Sequence, residues 1–218
     1  MTAAGLNPTP VFERSEHSLA LVNQTVARFV REARTRPRSR MLIGSRLWSS
    51  SSVKAAHATA WDEGRVEDAI TRLLAIGEEF VFGLLIELTE RRLPPGHLVS
   101  TIWESHIDRE TDTWNQRIGS WKQLHEIEVA SGFPDNQRLQ GFIQARNSIV
   151  HGLGALTRKQ TKTRSIRQKT LAKLKAAGID VSGDHLVLAE SHVESCAEVV
   201  KSLVTWLDAV AGVRMAAA

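Results

Sequence analysis

One long apolar stripe limits what this chain can fold into. Between residues 65 and 92, Val66, Ile70, Leu73, Gly77, Phe80, Leu84 and Leu88 recur at helical spacing. From Phe80 to Ile86 the apolar surface widens, as a helix with neighbours on several sides requires. Arg91 and Arg92 suit the negative C-terminal end of a helix, and Pro94-Pro95 stop it. Such a helix has to be wrapped by others.

The rest of the chain supplies them. Residues 1 to about 14 carry Pro8 and Pro10 and little periodicity. A helix is predicted over 16–34, with Leu19, Val22, Val26, Phe29, Val30 and Ala33 on one face. Pro37, Gly44 and the run Ser49 to Ser52 mark residues 35–52 as a linker. A further helical region spans about 97–130, with a break expected at Gly119-Ser120 and an end at Gly132 and Pro134. Asp135 is placed to cap a helix over 136–151. Residues 164–176 read as a basic helix ending at Gly178. Ile179–Val181 and Leu186–Leu188 flank Ser-Gly-Asp-His as a very short hairpin. Ser191 and Glu194 have the spacing of a capping box, opening a last helix to about 212. The expected fold is all-α: a bundle of five to seven helices, with one very short β-hairpin near 179–188.

Composition narrows the class. Of 218 residues, 42% are hydrophobic and 24% charged, as in a soluble globular protein. No run of about 18 apolar residues is present to span a membrane, and no apolar signal segment follows a basic start. The single cysteine, Cys196, cannot form an internal disulfide and reads as a core residue. A reducing cytoplasm is the expected location. The net charge is only +4, but it is unevenly spread. Arg28 to Arg46 holds seven arginines and one glutamate, and Arg158 to Lys175 holds eight basic residues and no acid. Such blocks attract polyanions; the plainer alternative is a solvated helix face.

The chemistry sits in Gln140 to Gly154, Q-G-F-I-Q-A-R-N-S-I-V-H-G-L-G. On a helix, Leu139, Phe142, Ile143, Ile149, Val150 and Leu153 form one apolar stripe, with Arg146 in its middle. A guanidinium keeps its charge, so a carboxylate, a phosphate or a subunit interface has to meet it. Asn147 and His151, four residues apart, stack on the stripe's flank, where Gln140 and Gln144 also lie. These residue types suit RNA cleavage. The 2′-hydroxyl has to lose a proton and attack phosphorus, and histidine, with an ordinary pKa of about 6.5, moves protons near neutrality. Arginine holds the phosphate and its growing charge with a planar fork of donors. Asparagine orients the phosphate or the imidazole. The nucleophile belongs to the substrate, so no metal or other cofactor is expected. The alternative is structural: Arg146 bridging to Glu78 or Glu87, and His151 favoured by the dipole where Gly152 or Gly154 ends the helix.

The segment Arg146-Asn147-Ser148-Ile149-Val150-His151 resembles the signature of the HEPN superfamily (higher eukaryotes and prokaryotes nucleotide-binding). In that family an arginine, often followed by a polar residue, precedes a histidine by four to six positions on a late helix of a bundle. The wider order of a long apolar helix, the motif helix and a closing helix covers about residues 60–212. The resemblance implies a metal-independent endoribonuclease of toxin or anti-phage type. It also implies a homodimer whose two motifs meet in one cleft, and an antitoxin or defence-system partner. Arg146, Asn147 and His151 would be the catalytic set. Arg158, Lys159, Lys162, Arg164, Arg167 and Lys169 would form the track for the RNA backbone, with Arg34 to Arg40 as a second basic candidate. Residues 1–52 would be an N-terminal extension and 53–218 the HEPN-like domain. One family variant modifies a tyrosine just after the histidine. Gly152 and Leu153 stand there, and the chain has no tyrosine. The rival reading is a non-catalytic HEPN-like module that dimerises and binds RNA or a partner protein.

Other residues carry less. His125 with Glu126 and Glu128, and His106 with Asp108, lack the spacing of a metal motif. Trp48, Trp61, Trp103, Trp114, Trp121 and Trp206 suit packing better than base stacking.

Overall fold

The computed structural model describes residues 10–34, 51–93, 101–103, 105, 107 and 113–216; the side chains of residues 34 and 51–63 are outside that description. Residues 35–50 of the expected 35–52 linker, residues 35–40 of the second basic candidate, Pro94-Pro95, the His106/Asp108 pair, Trp48 and the Trp61 side chain lie outside the described residues; Ser51 and Ser52, read as linker, instead open a helix. The fold is all-α with one small hairpin, as the sequence predicts. Helices α1 (Glu13–Arg34), α2 (Ser51–Arg92), α3 (Trp114–His125), α4 (Val129–Gly132), α5 (Asn136–Gly152), α6 (Arg158–Thr161) and α7 (Arg164–Ala176) come first. Strands β1 (Asp180–Ser182) and β2 (His185–Val187) precede the closing α8 (Glu190–Ala216). Two compact units form: one from Met1–Leu21, Ile76–Asn136 and Lys201–Ala218, the other from Val22–Ala75 and Gln137–Val200. No helix of the described residues is long and apolar enough to cross a membrane.

In the first unit, Phe80, Val81, Leu84, Leu85 and Leu88 of α2 are buried with Trp121, Phe133, Leu203 and Leu207. The fully buried Trp121 donates its indole N–H to the Val81 carbonyl at 3.1 Å, so its polar atom is satisfied. Gly132 lies close to Trp206, whose ring meets Phe133 at 5.6 Å. α1 starts at Glu13, three residues earlier than its apolar period predicts. The cause is Asp208, buried on α8. Its carboxylate accepts the Val11 N–H at 2.8 Å, the Phe12 N–H at 3.0 Å and the Ser15 hydroxyl at 2.5 Å. Helix starts leave N–H groups orphaned, and a carboxylate there also meets the positive dipole end.

α3 departs from the expected break. It runs through Gly119-Ser120, because the Ser120 hydroxyl bonds back to the Gln116 carbonyl at 3.0 Å and points along the helix. The cap is Thr113, whose capping box with Gln116 starts the helix, and Glu126, in a left-handed conformation, ends it. The last residue of α3, His125, is 3% exposed. The Thr89 hydroxyl donates to the Leu85 carbonyl at 2.8 Å, so it accepts from His125 Nε2–H at 2.9 Å. His125 Nδ1 is left to accept from Arg92 at 3.3 Å, which requires a neutral ring. Glu126 pairs with Arg214 and Glu128 with Lys122, so these three residues are occupied structurally.

The second unit buries Val22, Phe29, Ile70, Leu73, Leu139, Phe142, Leu174, Ile179, Val193 and Val200. Cys196 is fully buried too, and burial pushes its thiol up, so it behaves as a core residue. Arg65 is 7% exposed. It donates to the Phe29 carbonyl at 2.8 Å, lies 4.0 Å over the Phe29 ring and pairs with Glu190. One guanidinium thus holds α1, α2 and α8 by three kinds of contact. The hairpin pairs Asp180 with Val187, Val181 with Leu186 and Ser182 with His185, one residue inward of the expected ends. Gly183 at φ 64° supplies the positive φ of the two-residue turn. α8 opens one residue before Ser191. The Ala189 N–H is taken by His192 Nδ1 at 2.8 Å, so a histidine does the work expected of the Ser191–Glu194 box.

Burial, and then the Arg92 charge, hold the His125 imidazole below its ordinary value. The unfolded chain therefore takes up a proton first, at about pH 6.5. The His125 contribution is complete above that pH and is lost as pH falls toward the lower folded value. Urea unfolding at pH 7.5 and 5.5 is expected to show a larger stability loss in the wild type than in His125→Gln. Equal losses in the two proteins would refute the assignment.

Candidate functional site

The motif lies on α5, and two rows of that helix diverge in environment. The first row is Gln140, Gln144, Asn147 and His151. Gln140 Oε1 accepts from Lys173 of α7 at 3.2 Å. The Gln144 carbonyl and Oε1 both accept from Gln160 of α6, at 2.9 and 3.1 Å. This row therefore faces the basic elements that follow the motif. Asn147 continues it half-buried, and His151 ends it exposed in the last turn.

The second row carries Arg146. The sequence suggests a single apolar stripe; the structure splits it. Leu139, Phe142 and Ile143 are buried, whereas Val150 is 46% and Leu153 91% exposed. On either side of Arg146 in sequence, Ala145 and Ser148 are fully buried and carry the buried side of α5. Arg146 stands at that border, half-buried, with its Nε out of solvent.

Gln160 is the residue that sequence reasoning missed. It is 6% exposed. Its Oε1 accepts from the Ser148 hydroxyl at 3.0 Å and the Thr157 N–H at 2.8 Å, while its Nε2 serves Gln144. The Gln160 N–H in turn donates to the Thr157 hydroxyl, completing a capping box. Thr-x-x-Gln spacing at 157–160 is the signal that was available.

The helix end is tied to the hairpin. Leu153 at φ 51° and Gly154 at φ 83° turn the chain, and the Gly154 N–H returns to the Ser148 carbonyl at 3.1 Å. The Leu156 N–H donates to the Asp184 carbonyl at 2.7 Å and the Leu186 N–H to the Gly154 carbonyl at 2.9 Å, so Ala155 pairs with His185. Arg167 of α7 joins this knot through Asp184 at 3.0 Å and the Gly183 carbonyl at 3.1 Å. It is therefore a half-buried anchor. Arg158, Lys159, Lys162, Arg164 and Lys169 are exposed and make no ion pair with a described residue. The structure thus brings the motif helix and the basic segment together, with five cations turned to solvent. Comparison with protein-family models, with curated proteins and with solved structures returns no match.

Replacing Gln160 by Ala strips the Thr157 N–H of its acceptor and Gln144 of its donors, and leaves the Ser148 hydroxyl only the Gln144 carbonyl. Denaturant unfolding is expected to show a loss of about 2 kcal/mol, in the range for buried groups left unsatisfied. A loss under about 0.5 kcal/mol, the level of ordinary surface substitutions, would show that the node is not structural.

Proposed function

We propose that the chain is a metal-independent endoribonuclease, of the toxin or anti-phage effector type that the HEPN resemblance implies, working in the cytoplasm as a homodimer. The observation that carries the reading is the polar row of α5. It starts against α6 and α7 and ends at an exposed histidine, beside a segment whose five outward cations have no partner among the described residues. A polyanion lying along that segment brings its phosphates to His151. His151 removes the 2′-hydroxyl proton, Arg146 holds the phosphate and the charge that develops on it, and Asn147 orients the group. The 2′-oxygen attacks phosphorus, leaving a 2′,3′-cyclic phosphate and a 5′-hydroxyl. Arginine supplies the charge neutralisation that a cation would otherwise provide.

The dimer is supported by the second row. Val150 and Leu153 expose apolar surface next to Arg146. A leucine held in the left-handed region costs roughly 1 kcal/mol more than glycine would. A side chain kept there at 91% exposure is explained by a surface that covers it. A second copy would also bring a second Arg146 and His151 into the same cleft.

Two experiments test this. Purified protein incubated with mixed tRNA and mRNA in EDTA is expected to cut, leaving cyclic phosphate ends. His151→Ala should be slower by about 10²–10⁴-fold, and Arg146→Ala by about 10²–10³-fold. A folded, dimeric wild type that binds RNA and leaves it intact would support the non-catalytic module instead. Separately, Leu153→Gly should unfold no more easily than the wild type at low concentration, yet dissociate at higher concentration in sedimentation. Unchanged association would remove Leu153 from the interface.

A further inference from the structure

Cleavage of this kind needs two proton transfers. A base takes the 2′-hydroxyl proton, and the departing 5′-oxygen has to gain one. Each copy of the motif supplies one imidazole, so in a composite cleft the second copy's His151 competes for the second role, and the His185 variants separate the two. The geometry points to His185 as the second proton-transfer group, the acid for the leaving oxygen, an inference that rests on the ribonuclease reading above.

A short chain of bonds sets its position. His151 ends the polar row of α5, and the neighbouring Gly152 carbonyl accepts the Ala155 N–H at 2.9 Å. Ala155 pairs with His185 across an antiparallel bridge. The bonds on either side of that pair, Leu156 to Asp184 and Leu186 to Gly154, make it the close, non-hydrogen-bonded kind. Such partners keep their Cα atoms about 4.5 Å apart, with side chains on one face. Leu186, next along β2, is half-buried, so the alternation of the strand turns His185 outward, and it is exposed. Its imidazole makes no hydrogen bond or ion pair with a described residue. The adjacent carboxylate, Asp184, is taken by Arg167. The structure has therefore built a third segment into the end of the motif helix, and that segment presents a second exposed imidazole, free among the described residues. The other histidine nearby, His192, is committed at both nitrogens, to the Ala189 N–H and the Gly178 carbonyl.

The step balances. His151 takes the 2′-hydroxyl proton, the 2′-oxygen–phosphorus bond forms, the phosphorus–5′-oxygen bond breaks, and the 5′-oxygen receives the proton of the His185 imidazolium. The two rings exchange protons with water before the next turnover.

The test is an RNA with sulfur in place of the bridging 5′-oxygen at a position the wild type cuts. A thiolate leaves without a proton, so an acid is no longer needed. On ordinary RNA, His185→Ala and His185→Gln should each be slower by about 100-fold or more. On the sulfur-bridged RNA both should cut at nearly the wild-type rate, whereas His151→Ala stays impaired. Thermal unfolding of the two His185 variants checks that the hairpin persists. Equal loss on both substrates, or no loss on ordinary RNA, would overturn the role of His185 while leaving the ribonuclease intact. A wild type that cuts neither substrate would overturn the reading on which it rests.

Discussion

The neighbourhood of the motif depends on how closely α7 approaches α5 at Gly141. A Cβ at that position would overlap the Lys173 carbonyl and come within 2.6 Å of the Ala177 Cβ. Backbone atoms cannot swing aside as a long side chain can, so only glycine admits this approach. Much follows from the contact. Lys173 is brought within reach of Gln140, one helical step from the glycine. Leu174 and Ala177 are buried at the same seam. The basic face of α7 is then fixed alongside the polar row of α5 rather than left on a loose arm. On the proposed ribonuclease reading, a phosphate track would need a constant register with His151, and this contact is what would hold it.

The second constraint is polar. α5 and α6 meet through Gln160, Gln144 and Ser148, all bonded to one another or to backbone. An apolar contact of the same area would tolerate a slide of an ångström or more. Directional bonds to two side chains and two backbone groups do not. The cost of desolvating these groups is offset only while every bond is made, so the seam specifies one arrangement of α5 and α6 more than it adds stability.

Local signals in the sequence were legible because their causes are local. The end of α2 at Arg92, the stop at Gly178 with φ 77°, and the helix beginning at Asn136 after Asp135 appear where the residues place them, whereas α2 begins at Ser51, well before the apolar period that starts near 65. Signals from afar were not legible. α1 gains a turn from Asp208, 193 residues beyond Ser15, and no window of sequence contains both. Gly119-Ser120 resembles a break until the serine is seen to bond within the helix. In the candidate site, the spacing of Gln140, Gln144, Asn147 and His151 did place them on one flank. Periodicity could not say that the apolar stripe is buried only as far as Arg146, because exposure depends on which elements pack there. Nor could it pair Ala155 with His185, thirty residues on. That pairing depends on a turn, a helix and a hairpin acting together.

The break in the stripe bears on the oddest residue in the sequence. An arginine in the middle of an apolar face is costly if the face is buried throughout. Here the face is buried on one side of Arg146 and exposed on the other, so the residue is half-buried, its aliphatic stem on apolar surface and its Nε out of solvent. A binding arginine needs that combination. Its stem must be held so that the fork keeps one orientation, and its head must be reachable by an anion. On the proposed reading the border position would serve that role, and a half-buried rather than sealed site is how a guanidinium is kept where the helix alone would favour a leucine.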